Sequence, residues 1–128
     1  SKLDAIKKFS HLEQSKDLAS ANKRVSNILK KFTGSIEKID ESLLEEVEEI
    51  QLFKTITKLH PIIIEALNKQ NFIGALNSLV ELKDPIDQFF ENVMVNSDDE
   101  KIKINRHNLL SQLHISLNSV ADISKLAN

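Results

Sequence analysis

Apolar residues along this chain recur at helical spacing, not with the alternation of a strand. Leu18, Ala21, Val25, Ile28 and Phe32 are spaced 3, 4, 3, 4, the seam of a helix packed on others, so a helix is predicted over about residues 16–32. Ser15 stands in position for its N-cap and Gly34 for its C-terminal stop. A second helix is predicted from about Ser42 to Leu59, because Ser42 and Glu45 have capping-box spacing ahead of an apolar run. Pro61 has no N–H to donate and is expected to kink or restart it, giving a further helix to about Asn68. Asn71 then caps FIGALNSLVEL, and Asp84 followed by Pro85 reads as the N-cap and first helical residue of PIDQFFENV. NSDDE is a turn into KIKINRHNLLSQLHISLNSV, a long helix, with ADISKL as its continuation or a short coda. The pattern predicts an all-α, single-domain bundle of about six or seven helices, without repeats or linkers.

Composition supports this. A chain of 128 residues suits one compact domain, and two glycines and two prolines starve β-turn chemistry. The absence of cysteine excludes disulfides and thiolate metal sites and suits the cytoplasm. No apolar run reaches membrane-spanning length, and SKLDAIKKF lacks a secretory signal's apolar stretch. The chain starts at Ser1 and not at methionine, which reads as a piece excised from a longer protein; N-terminal processing would give the same start.

The net charge of −2 is unevenly spread. Between Ser15 and Lys38, Lys16, Lys23, Arg24, Lys30, Lys31 and Lys38 outnumber Asp17 and Glu37, whereas residues 40–50 carry Asp40, Glu41, Glu45, Glu46, Glu48 and Glu49 with no basic residue. On the first helix Lys16, Lys23 and Lys30 lie nearly opposite the apolar seam, as ordinary solvation would place them. Ser20, Arg24, Asn27 and Lys31 form a second strip, roughly 80 to 140° from the seam, along the edge of a helix contact where a groove could form. Arginine with asparagine offers planar, multi-donor chemistry suited to phosphates and base edges. A salt-bridged surface strip has the same composition, so this feature alone does not decide.

Further along, Ile86, Phe89, Phe90 and Val93 form one apolar face, so both phenylalanines are expected in the core. Ile102, Leu109, Leu113 and Val120 mark the stripe of the last long helix, and Arg106 projects from its middle. A guanidinium there needs a partner, and Asp87, Glu91 and Asp122 are the candidates.

Taken together, ANKRVSNI (21–28), DES (40–42), DPIDQFFENVMV (84–95), NRHNLL (105–110) and VADISKL (120–126) resemble the C-terminal anticodon-binding domain of bacterial glycyl-tRNA synthetase β subunits, a helical domain of the DALR class shared with arginyl-type synthetases. The resemblance covers nearly the whole chain. FFENVMV followed some ten residues on by NR-x-x-LL is its most specific part.

This resemblance implies that residues 1–128 are an anticodon-binding domain from the C-terminal part of a β subunit. The parent ligase would contain two α and two β chains, with ATP and Mg used by the whole enzyme and the α subunit making the adenylate. The domain itself would be non-catalytic and need no cofactor. Its partner would be glycine tRNA in the cytoplasm, not DNA or a membrane. Family positions carry over onto Lys23, Arg24, Ser26 and Asn27, and onto Asn92, Asn105 and Arg106. The family often has leucine where His107 stands and methionine where Asn96 stands, which bears on local packing. With the strip geometry, Ser20, Arg24, Asn27 and Lys31 are assigned to the RNA side, Lys23 and Lys30 to longer-range phosphate attraction, and Arg106 to a structural pair. The acidic stretch 40–50 is expected to face away from RNA, toward solvent or another domain.

Nothing in the sequence suggests an active site. There is no GxSxG motif, and Gly34 and Gly74 are too far apart for a phosphate-cradling loop. His11, His60, His107 and His114 lack metal-ligand spacing, and His107 with His114 could merely share one helix side. The alternative to RNA binding is a helical protein–protein module, docking through the acidic helix or through Ile62, Ile63 and Ile64.

Overall fold

A computed structural model of the protein describes residues 13–35 and 37–119. It contains α1 (Glu13–Lys31), a 3-10 turn (Glu41–Leu43), α2 (Val47–Asn68), α3 (Phe72–Val80), α4 (Lys83–Asn92) and α5 (Glu100–Asn118). The described residues include no strand, so the all-α class holds, and five α-helices lie among them. One helix fewer arises at Pro61, and the expected coda ADISKL lies outside the described residues.

The first helix starts earlier than expected, since Ser15 lies inside it and is not its cap. It ends at Lys31, and Gly34 follows it closely. The Phe32 ring packs over Gly34: a Cβ there would sit 2.5 Å from the ring's Cζ, so any side chain at this position would require the ring to shift.

The expected start of the second helix at Ser42 is displaced. Ser42 belongs to the 3-10 turn, where its N–H (3.0 Å) and hydroxyl (2.6 Å) both donate to Asp40 Oδ1. The helix begins at Val47, and Glu49 Oε1 accepts the N–H groups of Glu45 (3.1 Å) and Glu46 (3.2 Å). In a run so rich in Glu, Ser42 competes with better-placed carboxylates, which also favour a helix N-terminus electrostatically.

Pro61 does not break α2. Glu49, Leu52, Ile56, Leu59 and Ile63 keep the 3, 4, 3, 4 spacing across it, and all are buried. Pro61 is exposed, as is Thr57, whose carbonyl loses its partner and can turn to water. An interior proline costs about 3 kcal/mol, whereas a break would forfeit burial of Ile63 and part of Leu67, each worth about 1.5–3 kcal/mol. The balance favours continuity. The same burial removes Ile63 from the proposed isoleucine patch, leaving Ile62 (47%) and Ile64 (38%) exposed on either side.

The helix stops in a Schellman arrangement, in which Gln70 N donates to Leu67 O (3.0 Å) and Asn71 N to Ala66 O (2.7 Å). Gln70 carries the left-handed conformation this requires, with φ of 59°. Asn71 caps α3 as expected, its Oδ1 accepting from Gly74 N at 3.0 Å. The expected cap of α4 is corrected: Leu82 occupies that position, and Asp84 and Pro85 both fall within the first turn. Leu82 is fully buried and its carbonyl receives Ile86 N at 2.9 Å, so core packing sets the start. Proline is tolerated there because first-turn N–H groups have no intrahelical partner anyway.

Asp99 caps α5 by accepting from Lys101 N (2.9 Å) and Ile102 N (3.3 Å). Residues 105–110 of α5 are all buried, making it the most enclosed of the helices. Ile102, Leu109 and Leu113 are inside as predicted, while Val120 lies outside the described residues. The core joins side chains from every helix, with α2 packed on α3, α4 and α5, and α1 packed on α5 and α4. That docking leaves the basic side of α1 open to solvent beside α4.

Candidate nucleic-acid interface

The strip expected on α1 comes together in space. Ser20, Lys23, Arg24, Asn27 and Lys31, all exposed, line a shallow depression of about 340 Å³ with Ile28 at its base. Lys23, assigned above to longer-range phosphate attraction, also lines the depression, whereas Lys30 is exposed outside it. Among the described residues, no carboxylate pairs with Lys23, Arg24, Lys30 or Lys31. Among the described residues, therefore, the strip is not salt-bridged.

Arg24 is held by an aromatic. Its guanidinium carbon lies 4.2 Å from the centroid of Phe90, which meets Phe89 edge to face at 5.5 Å. Phe89 is in the core as predicted; Phe90 is half-buried and serves as the platform beneath Arg24. The contact is a cation–π interaction, and Arg24 remains exposed beside the other polar side chains of the depression.

Beyond the end of α1 lies a second, more enclosed depression of about 390 Å³, contiguous with the first through Ile28 and Lys31. Phe32, Thr33 and Gly34 form one side, and Asn96, Glu100, Lys103 and His107 the other. His107 stacks on Phe32 with centroids 4.2 Å apart and planes 16° from parallel. Its Nδ1 is 2.8 Å from Lys103 O; a carbonyl can only accept, so Nδ1 carries the proton. Asn96 and His107 both line this space.

Two further asparagines of α5 tie down the segment after Gly34. Asn105 grips the Asp40 backbone from both sides, its Oδ1 accepting from Asp40 N (2.7 Å) and its Nδ2 donating to Asp40 O (2.9 Å). Asn108 Oδ1 accepts from Glu37 N at 2.9 Å. Asn105 is therefore a positioning residue for this segment and is buried away from any ligand. Asn92, by contrast, is exposed and donates to Gln88 O at 3.0 Å, while Ser26 is half-buried.

Arg106 is buried and paired as expected, but with other partners. Its Nη1 donates to Met94 O (2.7 Å), and its Nη2 lies 3.2 Å from Glu49 Oε1 and 3.6 Å from Glu45 Oε1. Asp87 is instead exposed next to Lys83 (3.4 Å), and that contact holds the Lys83 pKa above its ordinary value. Glu91 is exposed, and Asp122 lies outside the described residues. The acidic stretch consequently does not face wholly outward, because Glu49 is fully buried against Arg106. The signal was present in the sequence: Glu49 stands one turn ahead of Leu52 on the apolar seam of α2.

His107 and His114 have separate environments. His114 Nδ1 is 3.1 Å from Asn22 Oδ1, and Asn22 donates to Asn118 Oδ1 at 3.0 Å, joining α1 to α5. Among the described residues, no group of His, Asp and Glu side chains is arranged to hold a metal ion, and no helix is long and apolar enough to cross a membrane.

The family of DALR anticodon binding domains matches residues 18–125, and the chain belongs to that family. Among curated proteins it is similar to the glycine–tRNA ligase β subunits of Janthinobacterium sp. (strain Marseille), at 43% identity over 127 residues, and Methylobacillus flagellatus, at 42% over 127 residues. The β subunit of Neisseria meningitidis serogroup C (strain 053442) is 43% identical over 125 residues. Each match covers 98% of this chain and 18% of the relative, so the chain spans under a fifth of the length of these relatives.

Proposed function

We propose that the chain is the anticodon-binding domain of a glycine–tRNA ligase β subunit, and that the open face of α1 holds the anticodon end of glycine tRNA during ATP-dependent aminoacylation. The observation that carries this reading is the convergence of Arg24, Asn27, Lys31, Lys23 and Ser20 in one depression, with the Arg24 guanidinium over the Phe90 ring. Bases in an anticodon loop can be splayed out and contacted on their Watson–Crick edges, which duplex RNA does not permit. Arg24 and Asn27 supply the edge-reading donors and acceptor, while the lysines position the backbone.

Chemistry takes place elsewhere in the enzyme, where ATP and Mg are used. The partner subunit is the α chain, in an assembly of two α and two β chains in the cytoplasm. This domain contributes binding and orientation, not an acid, a base or a nucleophile.

The test compares binding of glycine tRNA with an anticodon-substituted copy at two salt concentrations, using the chain and its Arg24→Ala and Asn27→Ala variants. The reading expects discrimination between the RNAs that both substitutions reduce. With about three phosphates neutralised, log K should fall against log salt with a slope of roughly −2. Equal affinity for the two RNAs, unchanged in the variants, would remove the assignment of α1 as the reading surface.

A further inference from the structure

Asparagine precedes serine three times in the chain, at Asn77–Ser78, Asn96–Ser97 and Asn118–Ser119. Asparagine is a thermolabile residue, and this dipeptide carries a latent reaction. The serine backbone nitrogen can attack the asparagine side-chain carbonyl carbon when its N–H is uncommitted and the backbone can swing the two atoms together. The fold treats the three copies differently. Asn77 and Ser78 lie inside α3, where the helical ladder fixes the backbone and the buried Ser78 donates its hydroxyl to Gly74 O at 3.1 Å. Asn118 is engaged on both sides: its Nδ2 donates to His114 O at 3.0 Å, its Oδ1 accepts from Asn22 at 3.0 Å, and Ser119 N donates to Ser116 O at 3.3 Å. Asn96 is exposed on the α4–α5 connection, where residues 93–99 form neither helix nor strand. Among the described residues, its side-chain amide has no hydrogen-bond partner and Ser97 N donates to none; Ser97 Oγ accepts from Asp99 N at 3.2 Å.

We propose that Asn96 is a site of spontaneous deamidation, which plants a carboxylate in the second depression. Ser97 N bonds to Asn96 Cγ, the bond from Cγ to the side-chain nitrogen breaks, and that nitrogen leaves as ammonia carrying the proton of the Ser97 N–H. Water then opens the resulting cyclic imide at either carbonyl, giving aspartate or isoaspartate, each charged at neutral pH. The position gives the reaction a consequence. Asn96 lines the same space as Lys31, Lys103 and Glu100, and Lys31 is shared with the α1 strip. A second carboxylate there balances the two cations and competes with phosphate for Lys31. This consequence, unlike the chemical step, rests on the RNA-binding reading above.

The experiment incubates the 128-residue chain at mildly alkaline pH, folded and in guanidinium chloride, and follows each of the three asparagines by peptide mass spectrometry with isoaspartate detection. Unfolded, the three should convert at comparable rates, because each is followed by serine. Folded, Asn96 should convert while Asn77 and Asn118 are protected. Ser97→Pro removes the attacking N–H and should stop conversion at Asn96, with helix content checked by circular dichroism. Equal conversion of all three in the folded chain, or none at Asn96 when it converts in the unfolded chain, would overturn the proposal. For the consequence, Asn96→Asp should make the salt slope of tRNA binding shallower by about 0.7, the share of one single-strand phosphate. An unchanged slope in that variant would overturn the charge effect and leave the modification standing. Salt-independent tRNA binding by the parent would overturn the RNA-binding reading and the charge effect with it, while the mass spectra still decide the chemical step.

Discussion

Arg106 Nη2 lies 3.2 Å from Glu49 Oε1, with 5% and 0% of the two side chains exposed. Through this pair, α5 holds both the N-terminus of α2, whose Glu45 and Glu46 N–H groups share the same oxygen, and the α4–α5 connection at Met94 O. Removing one partner strands the other charge inside, so Glu49→Ala and Arg106→Ala should each lower stability by about 3–5 kcal/mol in urea unfolding. The double variant Glu49→Leu with Arg106→Met should recover much of that loss, since a packed apolar pair needs no counter-charge. If the double variant is as unstable as the sum of the singles, the pair is more than an ion pair in the core.

Arg24→Lys separates charge from geometry. Lysine keeps the cation but not the planar fork on Phe90, so the salt dependence of tRNA binding should persist while discrimination among anticodons falls. Because an ammonium can also sit over an aromatic face, the stability of the domain should change by less than about 0.5–1 kcal/mol, measurable in the same samples. Unchanged discrimination in the lysine variant would show that the flat guanidinium plays no part in reading bases.

Gly74→Ala brings two effects into opposition. Alanine is favoured over glycine in a helix by about 1 kcal/mol, but its Cβ would sit 2.5 Å from Asn71 Nδ2 and disturb a cap worth about 0.5–2 kcal/mol. The change should be neutral to destabilising in the parent and clearly stabilising in an Asn71→Ala background. Thermal unfolding of the four proteins reads this reversal of sign directly.

Gln70 holds φ of 59° at the end of α2, where glycine has no Cβ to strain. Gln70→Gly should raise stability by roughly 0.5–1 kcal/mol, part of the left-handed penalty being offset by glycine's greater unfolded-state entropy. A loss of stability would mean that the glutamine side chain makes a compensating contact.

Asp40 accepts from both the hydroxyl and the N–H of Ser42, which hold its pKa below the ordinary carboxylate value. A folded-state pKa below the unfolded one stabilises the protein above the unfolded pKa, and the contribution disappears as pH falls through the folded value. Asp40→Asn should therefore flatten the acid limb of the stability–pH profile and leave its shape above pH 6 unchanged on this account. Superimposable acid limbs in parent and variant would count against it.

Legibility in the sequence varied with the range of the interaction. The α1 seam and its strip could be read because both are properties of one helix, and a 3.6-residue period settles which side chains share a face. The partner of Arg106 could not be chosen from charge alone, because Glu49 is 57 positions away in a run of glutamates of which one is turned inward. Pro61 misled for a different reason: local chemistry argues for a break, and the seam continuing through Ile63 outweighs it. The second depression had no pattern to reveal it, since its walls come from the end of α1 and from the start of α5, joined only by the fold.

Asn105, His107 and Asn108 are near neighbours on α5, and between them they hold the Asp40 and Glu37 backbone and stack on Phe32. Residues 32–35 and 37–40 lack regular secondary structure, yet the amide hydrogens of Glu37 and Asp40 are fastened to that helix. Opening this stretch breaks three asparagine hydrogen bonds and an aromatic stack at once, more than the fraying of a surface connection costs. The segment is irregular in shape but keeps the helix's time.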